Sequence, residues 1–407
     1  MFVNKIINKA RAIILQLFYN RSFYFCFGHK YDLIIYDDIF PHPVSGFRLE
    51  EFTVLLSAFK NSKILVNAEA YPVIGDNKNK HKQDCDVFFE EFPLLTNKLK
   101  KIGFINNVNS KLFYCVFITN IYKFVKILEK KEVKFVFTLY PGGGFQMYNQ
   151  RSDFMLKRVL SSNMFQKVIV TQQITKDYLL KNNFCKESEI EFVFGGVVPQ
   201  KSLVKNFFDK KYFGDKKTNL DICFCAAKYM PLGIDKGYDV FIETAHLLCK
   251  QHDFVNFHII GGFDIHDIDV SGIKDKITFY GYQKFQDLEI FFKKMDIILS
   301  PNKPFKLGAG SFDGFPLGTV VEAALNGVLV IQSDALKQNQ YFIDEEDIFI
   351  VESDGTKITE LINNLILNSK KIEIIAKRGA LKFQSVYCNE NQMKRRINLL
   401  NNLIEND

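Results

Sequence analysis

Residues 300–331 read Ser-Pro-Asn-Lys-Pro-Phe-Lys-Leu-Gly-Ala-Gly-Ser-Phe-Asp-Gly-Phe-Pro-Leu-Gly-Thr-Val-Val-Glu-Ala-Ala-Leu-Asn-Gly-Val-Leu-Val-Ile. An apolar run ends near Ser300, a loop carrying Gly308, Gly310 and Gly314 follows, and a helical pattern starts near Thr319. Glycines ahead of a helix N-terminus let the backbone approach an anion, and the free N–H groups there bind it; a diphosphate fits that description. Two acids, Asp313 and Glu322, stand at the end of the loop and inside the helix. Thr319-x-x-Glu322 also has the spacing of a capping box, in which Glu turns back onto the helix's own first N–H groups. The sequence leaves both roles open. A second loop, Lys228-Tyr-Met-Pro-Leu-Gly-Ile-Asp-Lys236-Gly237, places two point cations between an apolar run and a helical pattern. They suit either a bound phosphate or plain solvation.

The first half offers fewer reactive groups. His42, the run Ser45-Gly46-Phe47-Arg48 and the run Tyr140-Pro-Gly142-Gly143-Gly-Phe each follow an apolar stretch. The triple glycine is more flexible than an ordinary loop needs and is expected to line a cleft. Asp37-Asp38 and Asp267-Ile-Asp269 invite a metal reading, but at strand ends and in polar loops such acids serve turns and caps more often. The eight cysteines, at 26, 85, 115, 185, 223, 225, 249 and 388, form no C-x-x-C pair. Reduced thiols are expected, and neither a zinc site nor a disulfide framework.

These groups must be held by an alternation of short apolar runs and longer helical patterns. In the first half the expected strands are 33–36, 63–66, 135–139, 168–171 and 190–194, with helices at 47–59, 121–130 and 154–161. In the second they are 221–225, 255–260, 277–280, 297–299, 328–331 and 348–351, with helices at 238–250, 288–294 and 319–325. Strand–helix alternation over 407 residues predicts an α/β fold of two doubly wound, Rossmann-like domains facing a central cleft. The expected division is 1–200 for the acceptor-side domain, 201–385 for the donor domain, and 386–407 for a C-terminal helix that could cross back to the first. Residues 198–218 read as a linker, its lysines (Lys201, Lys205, Lys210, Lys211) as a solvated run, and residues 75–84 as an exposed loop.

Asp313-Gly-Phe-Pro-Leu followed by Glu322-Ala-Ala-Leu-Asn-Gly and an apolar strand resembles the signature of the retaining glycosyltransferases of family 4 (group 1), which have the GT-B fold. There two acids eight residues apart frame a Gly-Phe-x-Leu run. The resemblance implies that Glu322 binds the donor ribose and that Asp313 faces the donor sugar. Asp313 departs from the pattern, being Asp rather than Glu and nine residues from Glu322. Lys236-Gly237 matches the family's Lys-Gly, and Lys228 takes the place of its Arg; the pair would grip the donor diphosphate. By the same resemblance Gly237, Gly261, Gly308, Gly310, Gly314 and Phe315 line the donor site, and Tyr282 lies near the nucleobase. Gly46, Arg48, His42, Tyr140, Gly142 and Gly143 are the candidates on the acceptor side, with Tyr140 where many members have His.

The implied activity is transfer of a sugar from a nucleotide-diphosphate sugar to a glycan or lipid-linked acceptor, with retention and without metal or other cofactor. Two other readings fit the same fold: a sugar-nucleotide epimerase or phosphorylase, and a non-catalytic nucleotide-sugar-binding scaffold. The net charge of +7 suits anionic partners without choosing among them. No nucleic-acid-binding module appears, and no apolar stretch approaches the roughly 20 residues that span a bilayer. Residues 1–20 carry apolar positions at helical spacing opposite a basic face. That pattern fits either an interfacial contact with an anionic membrane or a helix docked on the protein body. The expected location is the cytoplasm, at the inner face of the membrane if that contact forms. Assembly of bacterial surface polysaccharide is the expected setting.

Overall fold

A computed structural model of the chain describes residues 30–102, 108–204, 206–215, 217–283 and 285–406. The amphipathic pattern at 1–20 lies outside them, as do Cys26 and Lys205. The first domain is a seven-stranded sheet of order β3-β2-β1-β4-β5-β6-β7. Its strands are β1 (Tyr31–Asp37), β2 (Ser62–Val66), β3 (Leu99–Lys101), β4 (Ser110–Val116), β5 (Lys134–Leu139), β6 (Phe165–Val170) and β7 (Ile190–Phe192). The second is a six-stranded sheet of order β10-β9-β8-β11-β12-β13. It is built from β8 (Leu220–Cys225), β9 (Val255–Ile260), β10 (Ile277–Phe279), β11 (Ile297–Ser300), β12 (Leu329–Ser333) and β13 (Phe349–Val351). Every pairing is parallel.

Parallel strands need helical crossovers, and helices on both faces bury both sides of each strand. Successive side chains therefore enter opposite cores. Along β1, Leu33 and Ile35 join one core while Ile34 and Tyr36 join the other. Along β8, Ile222 and Phe224 face one way and Cys223 and Cys225 the other. That alternation places two cysteines in a dry apolar layer, and all seven described cysteines are free.

Several features depart from the sequence expectation. The central strand β4 lies in an apolar stretch running on into the helix Ile118–Lys130, and periodicity alone does not separate a strand buried on both faces from the helix after it. The polar tract at 75–84 is mostly helix, Lys78–Glu91, because the Asn77 side chain accepts from the Asn79 and Lys80 N–H groups and starts it. Lys210 is half-buried rather than part of a solvated run. Its ammonium donates to the carbonyls of Phe292 (2.7 Å) and Asn326 (3.2 Å), at the C-terminal ends of two helices.

The two domains meet at several places among the described residues, three of which shape the fold. The chain passes between them through 193–219. It returns after the helix Lys370–Val386, so that Met393, Leu400 and Ile404 complete the core of the first domain. The third contact is the 305–312 hairpin of the second domain, whose Phe312 packs into the first domain's core against Phe145, with ring centroids 6.0 Å apart.

Candidate active site

The predicted donor-side residues gather at the carboxyl ends of β8, β9, β10 and β11, where open parallel sheets bind ligands. A left-handed Gly237 (φ 72°) starts the helix Tyr238–Cys249 directly after Lys236. A Cβ there would come within 1.9 Å of the Pro301 carbonyl oxygen, so only glycine lets the β8 loop lie against the end of β11. This contact brings Lys236 to Asp313. The ammonium, on a side chain 5% exposed, donates to Asp313 Oδ2 at 2.6 Å, stands 3.7 Å from Asp235 Oδ2, and lies 4.9 Å from the centre of the Tyr229 ring. Burial pushes both the Tyr229 hydroxyl and the Asp235 carboxyl above their usual ranges.

Lys228 reaches the same end of the domain and is ion-paired with Asp267. Asp267 also accepts from the Asp264 N–H (3.0 Å), and Asp269 from the Ser271 N–H (2.9 Å), the turn roles such acids ordinarily take. Gly261 touches the Ala226 carbonyl. The largely exposed Tyr282 ring rests over Gly262, where its free face is open to a planar group.

Glu322 is buried, and its Oε1 accepts from Ser202 Oγ at 3.0 Å, a residue of the interdomain linker. The helix starts at Gly318, which makes Thr319 its second residue, and the Thr319 hydroxyl donates to the Cys225 carbonyl (2.8 Å). Thr319 is therefore not the N-cap, and the capping-box reading does not hold. A Cβ at Gly318 would meet nothing within 4 Å. The first N–H groups of a helix have no acceptor within it, so this end can receive an anion.

Several predicted residues are placed by other needs. Gly308 and Gly310 belong to the hairpin docked on the first domain rather than to a free phosphate cradle: Met147 N–H donates to the Gly310 carbonyl (3.0 Å), and Gly308 lies beside Gln146. Phe315 points into the second domain's core at 2% exposure; its carbonyl accepts from the Gln172 side chain (3.3 Å), which also lies against Gly314. Tyr140 is buried rather than cleft-lining, because its hydroxyl donates to Glu51 (2.8 Å) and accepts from Arg396 (3.2 Å) of the returning helix. That buried network also holds Tyr114 and Thr138.

On the first domain, Gly46 opens the helix Gly46–Ala58 and Arg48 lies in its first turn. Arg48 bonds Ser45 (2.9 Å), Asp37 (3.1 Å) and Asp38 (2.8 Å) and lies 4.9 Å from the Phe117 ring centre. Asp37 in turn accepts from the Ile39 and Phe40 N–H groups. His42 Nδ1 accepts from the Val44 N–H (3.0 Å), which makes Nε2 the protonated nitrogen that donates to Asp76 (2.8 Å). Asp76 and the neighbouring Tyr71–Asp84 pair (3.0 Å) are partners that residue spacing gave no sign of. Gly142 and Gly143 form a turn closed over the Phe117 ring, and Thr119 holds the Gly143 carbonyl at 2.9 Å. Arg48 and this turn thus share Phe117 at the carboxyl edge of the first sheet.

Among the described residues no three His, Cys, Asp or Glu side chains gather as a metal site, and no helix is long and apolar enough to cross a membrane. A cavity of about 530 Å³ lies at the opposite, amino edge of the second sheet, lined by Lys210, Lys217, Asp221 and Asn326 among others. Lys210 there serves helix-end carbonyls, and Lys217 pairs with Asp296 (2.5 Å) and Asp221 (2.8 Å), so both cations are already committed.

Residues 226–382, which include every donor-side candidate, match the family described as glycosyl transferases group 1. No protein of curated function matches the chain in sequence. Among solved structures, HepE of Anabaena in complex with UDP is 12% identical over 91% of this chain and 100% of its own, with a TM-score of 0.64. Sucrose-phosphate synthase of Thermosynechococcus elongatus is 14% identical over 93% and 100%, with a TM-score of 0.63. TarM, of S. aureus, is 16% identical over 78% of this chain, with a TM-score of 0.56, and this chain spans 58% of its length. At these identities the likeness is one of fold, and the fold is GT-B.

Proposed function

We propose that this GT-B chain, whose second domain carries the group 1 glycosyltransferase match, transfers a sugar from a nucleotide-diphosphate sugar to a glycan or lipid-linked glycan. The observation that carries this reading is the buried Lys236 ammonium held 2.6 Å from Asp313 at the carboxyl edge of the second sheet. Breaking the donor's glycosidic bond moves negative charge onto the diphosphate, and a fixed cation in a site poor in water stabilises that charge as it forms. In this reading Lys236, with Lys228 beside it in the loop, receives the diphosphate, and Glu322 takes the ribose hydroxyls. Tyr282 stacks on the base and Asp313 meets the sugar. The acceptor approaches from the first domain, past Arg48 and the Gly142–Gly143 turn.

Retention corresponds in this reading to attack by the acceptor hydroxyl on the face the diphosphate leaves. Charge neutralisation by lysine lets the step proceed without metal. Synthesis of bacterial surface polysaccharide at the inner membrane face is the setting that fits a lipid-linked acceptor and the basic pattern of residues 1–20. Flotation with anionic liposomes, with and without those residues, tests the membrane part.

The donor reading is tested by thermal unfolding against UDP, GDP, dTDP, CMP and their sugar conjugates. A ligand at a hundred times its Kd adds about 2.7 kcal/mol to stability. A shift with one nucleotide identifies the base; a folded protein that shifts with none of them refutes the reading.

A further inference from the structure

The Lys236 ammonium is shared by two carboxylates, Asp313 at 2.6 Å and Asp235 at 3.7 Å. With both acids ionised the trio carries a net negative charge, yet in the reading above it receives a diphosphate that is itself doubly negative. One charge must leave. Asp313 is a third exposed and can turn toward water. Asp235 cannot: its side chain is 6% exposed, its carbonyl is pinned by the Lys303 N–H (3.0 Å), and its Oδ1 is buried without a hydrogen-bond partner. The other cations of the site are already paired with carboxylates, Lys228 with Asp267 among them. Lys303 is held by Asp239 at 2.6 Å, and Tyr229 presents its ring to Lys236.

We propose that Asp235 takes up a proton when the diphosphate seats against Lys236, so that the site binds donor and proton together. The proposal rests on the donor reading of Lys236. An orphaned buried oxygen is where an ionised carboxylate is least supported, and a protonated carboxyl occupies the same volume. Burial already raises this group's pKa, and a diphosphate brings further negative charge that raises it more. Below the pKa of the free site Asp235 is protonated in both states and affinity is level. Between the free and bound values each unit of pH raises Kd tenfold, and above both it is level again.

The test is isothermal titration of the whole chain with UDP-glucose, UDP-N-acetylglucosamine, GDP-mannose and dTDP-glucose. It is run in EDTA from pH 5 to 8, in buffers of low and high ionisation enthalpy. A nucleotide sugar, unlike a free nucleoside diphosphate, has no terminal phosphate to titrate in this range. The expected result is buffer-dependent heat amounting to uptake of up to one proton, with Kd rising toward tenfold per pH unit. The uptake is lost in Asp235→Asn and retained in Asp313→Asn, each variant first shown to melt cooperatively. Binding without proton uptake overturns the proposal, as does uptake unchanged in Asp235→Asn or binding that appears only when magnesium replaces EDTA. Failure of all four donors to bind refutes the donor reading itself, a separate outcome.

Discussion

The Met147 N–H donates to the Gly310 carbonyl at 3.0 Å across the domain boundary, and a Cβ on Gly310 (φ 74°) would come within 1.6 Å of the Met147 carbonyl oxygen. The two backbones touch because residue 310 has no side chain. Phe312 follows, seated in the first domain, and Asp313 comes next. The hairpin therefore sets where Asp313 stands relative to Lys236.

Gly310→Ala is expected to unseat the hairpin. The left-handed backbone alone costs on the order of 1–3 kcal/mol, and the clash adds to it. Small-angle scattering should show a larger radius of gyration than the unsubstituted chain. An unchanged profile with unchanged activity would deny the hairpin a docking role.

Lys236→Ala removes the cation nearest Asp313. Transfer is expected to fall by about 100- to 1,000-fold, the usual loss when one fixed charge-stabilising group is deleted. Lys236→Arg should recover part of it, since the charge returns with a different shape. Product formation from labelled donor checks both; full activity in Lys236→Ala would remove the residue from the mechanism.

Glu322 can be tested through the ligand. If its carboxylate binds ribose hydroxyls, Glu322→Gln should weaken nucleotide binding by roughly 10- to 100-fold, as charged hydrogen bonds contribute about 1.5–3 kcal/mol. The corresponding deoxynucleotide should bind wild type and variant alike. Equal losses for both nucleotides would mean that Glu322 only holds the linker through Ser202.

Asp235 also makes stability depend on pH. Its pKa is raised in the folded chain, so the native state holds this proton more tightly than the unfolded state, whose carboxylates titrate near 3.9. The sign follows: its contribution is most favourable below the unfolded value and is lost as pH rises through the folded one. The melting temperature of wild type minus that of Asp235→Asn should therefore fall between pH 4 and neutrality, as differential scanning calorimetry can measure. A difference that is flat or rises would contradict this.

Arg396, wholly buried on the returning helix, stands 3.6 Å from the equally buried Glu51 and bonds Tyr140 and Gln392. Arg396→Leu leaves Glu51 as a buried charge without its cation and is expected to cost about 3–5 kcal/mol. Urea unfolding followed by far-ultraviolet circular dichroism should show an earlier transition. Pairing the change with Glu51→Gln should recover much of the loss.

Composition and order along the chain determined a good deal. Apolar runs of three to six residues separated by helical patterns specified two parallel sheets, because strands joined by helical crossovers have few other ways to bury both faces. The pairing of Lys236-Gly237 with the Asp313–Glu322 segment marked one end of the second sheet, since each motif follows a strand and strand ends converge there. Tertiary structure alone decided what each of these groups touches. Spacing gave no sign that Gly310 answers to Met147, that Tyr140 is closed off by Glu51 and Arg396, or that Asp235 shares the Lys236 ammonium, because these partners lie far apart in sequence or, for Asp235, depend on how a turn folds. Local sequence sets backbone conformation and the periodicity of burial. Burial and charge at a given atom are set by whatever packs against it, and at Gly310 that is the other domain.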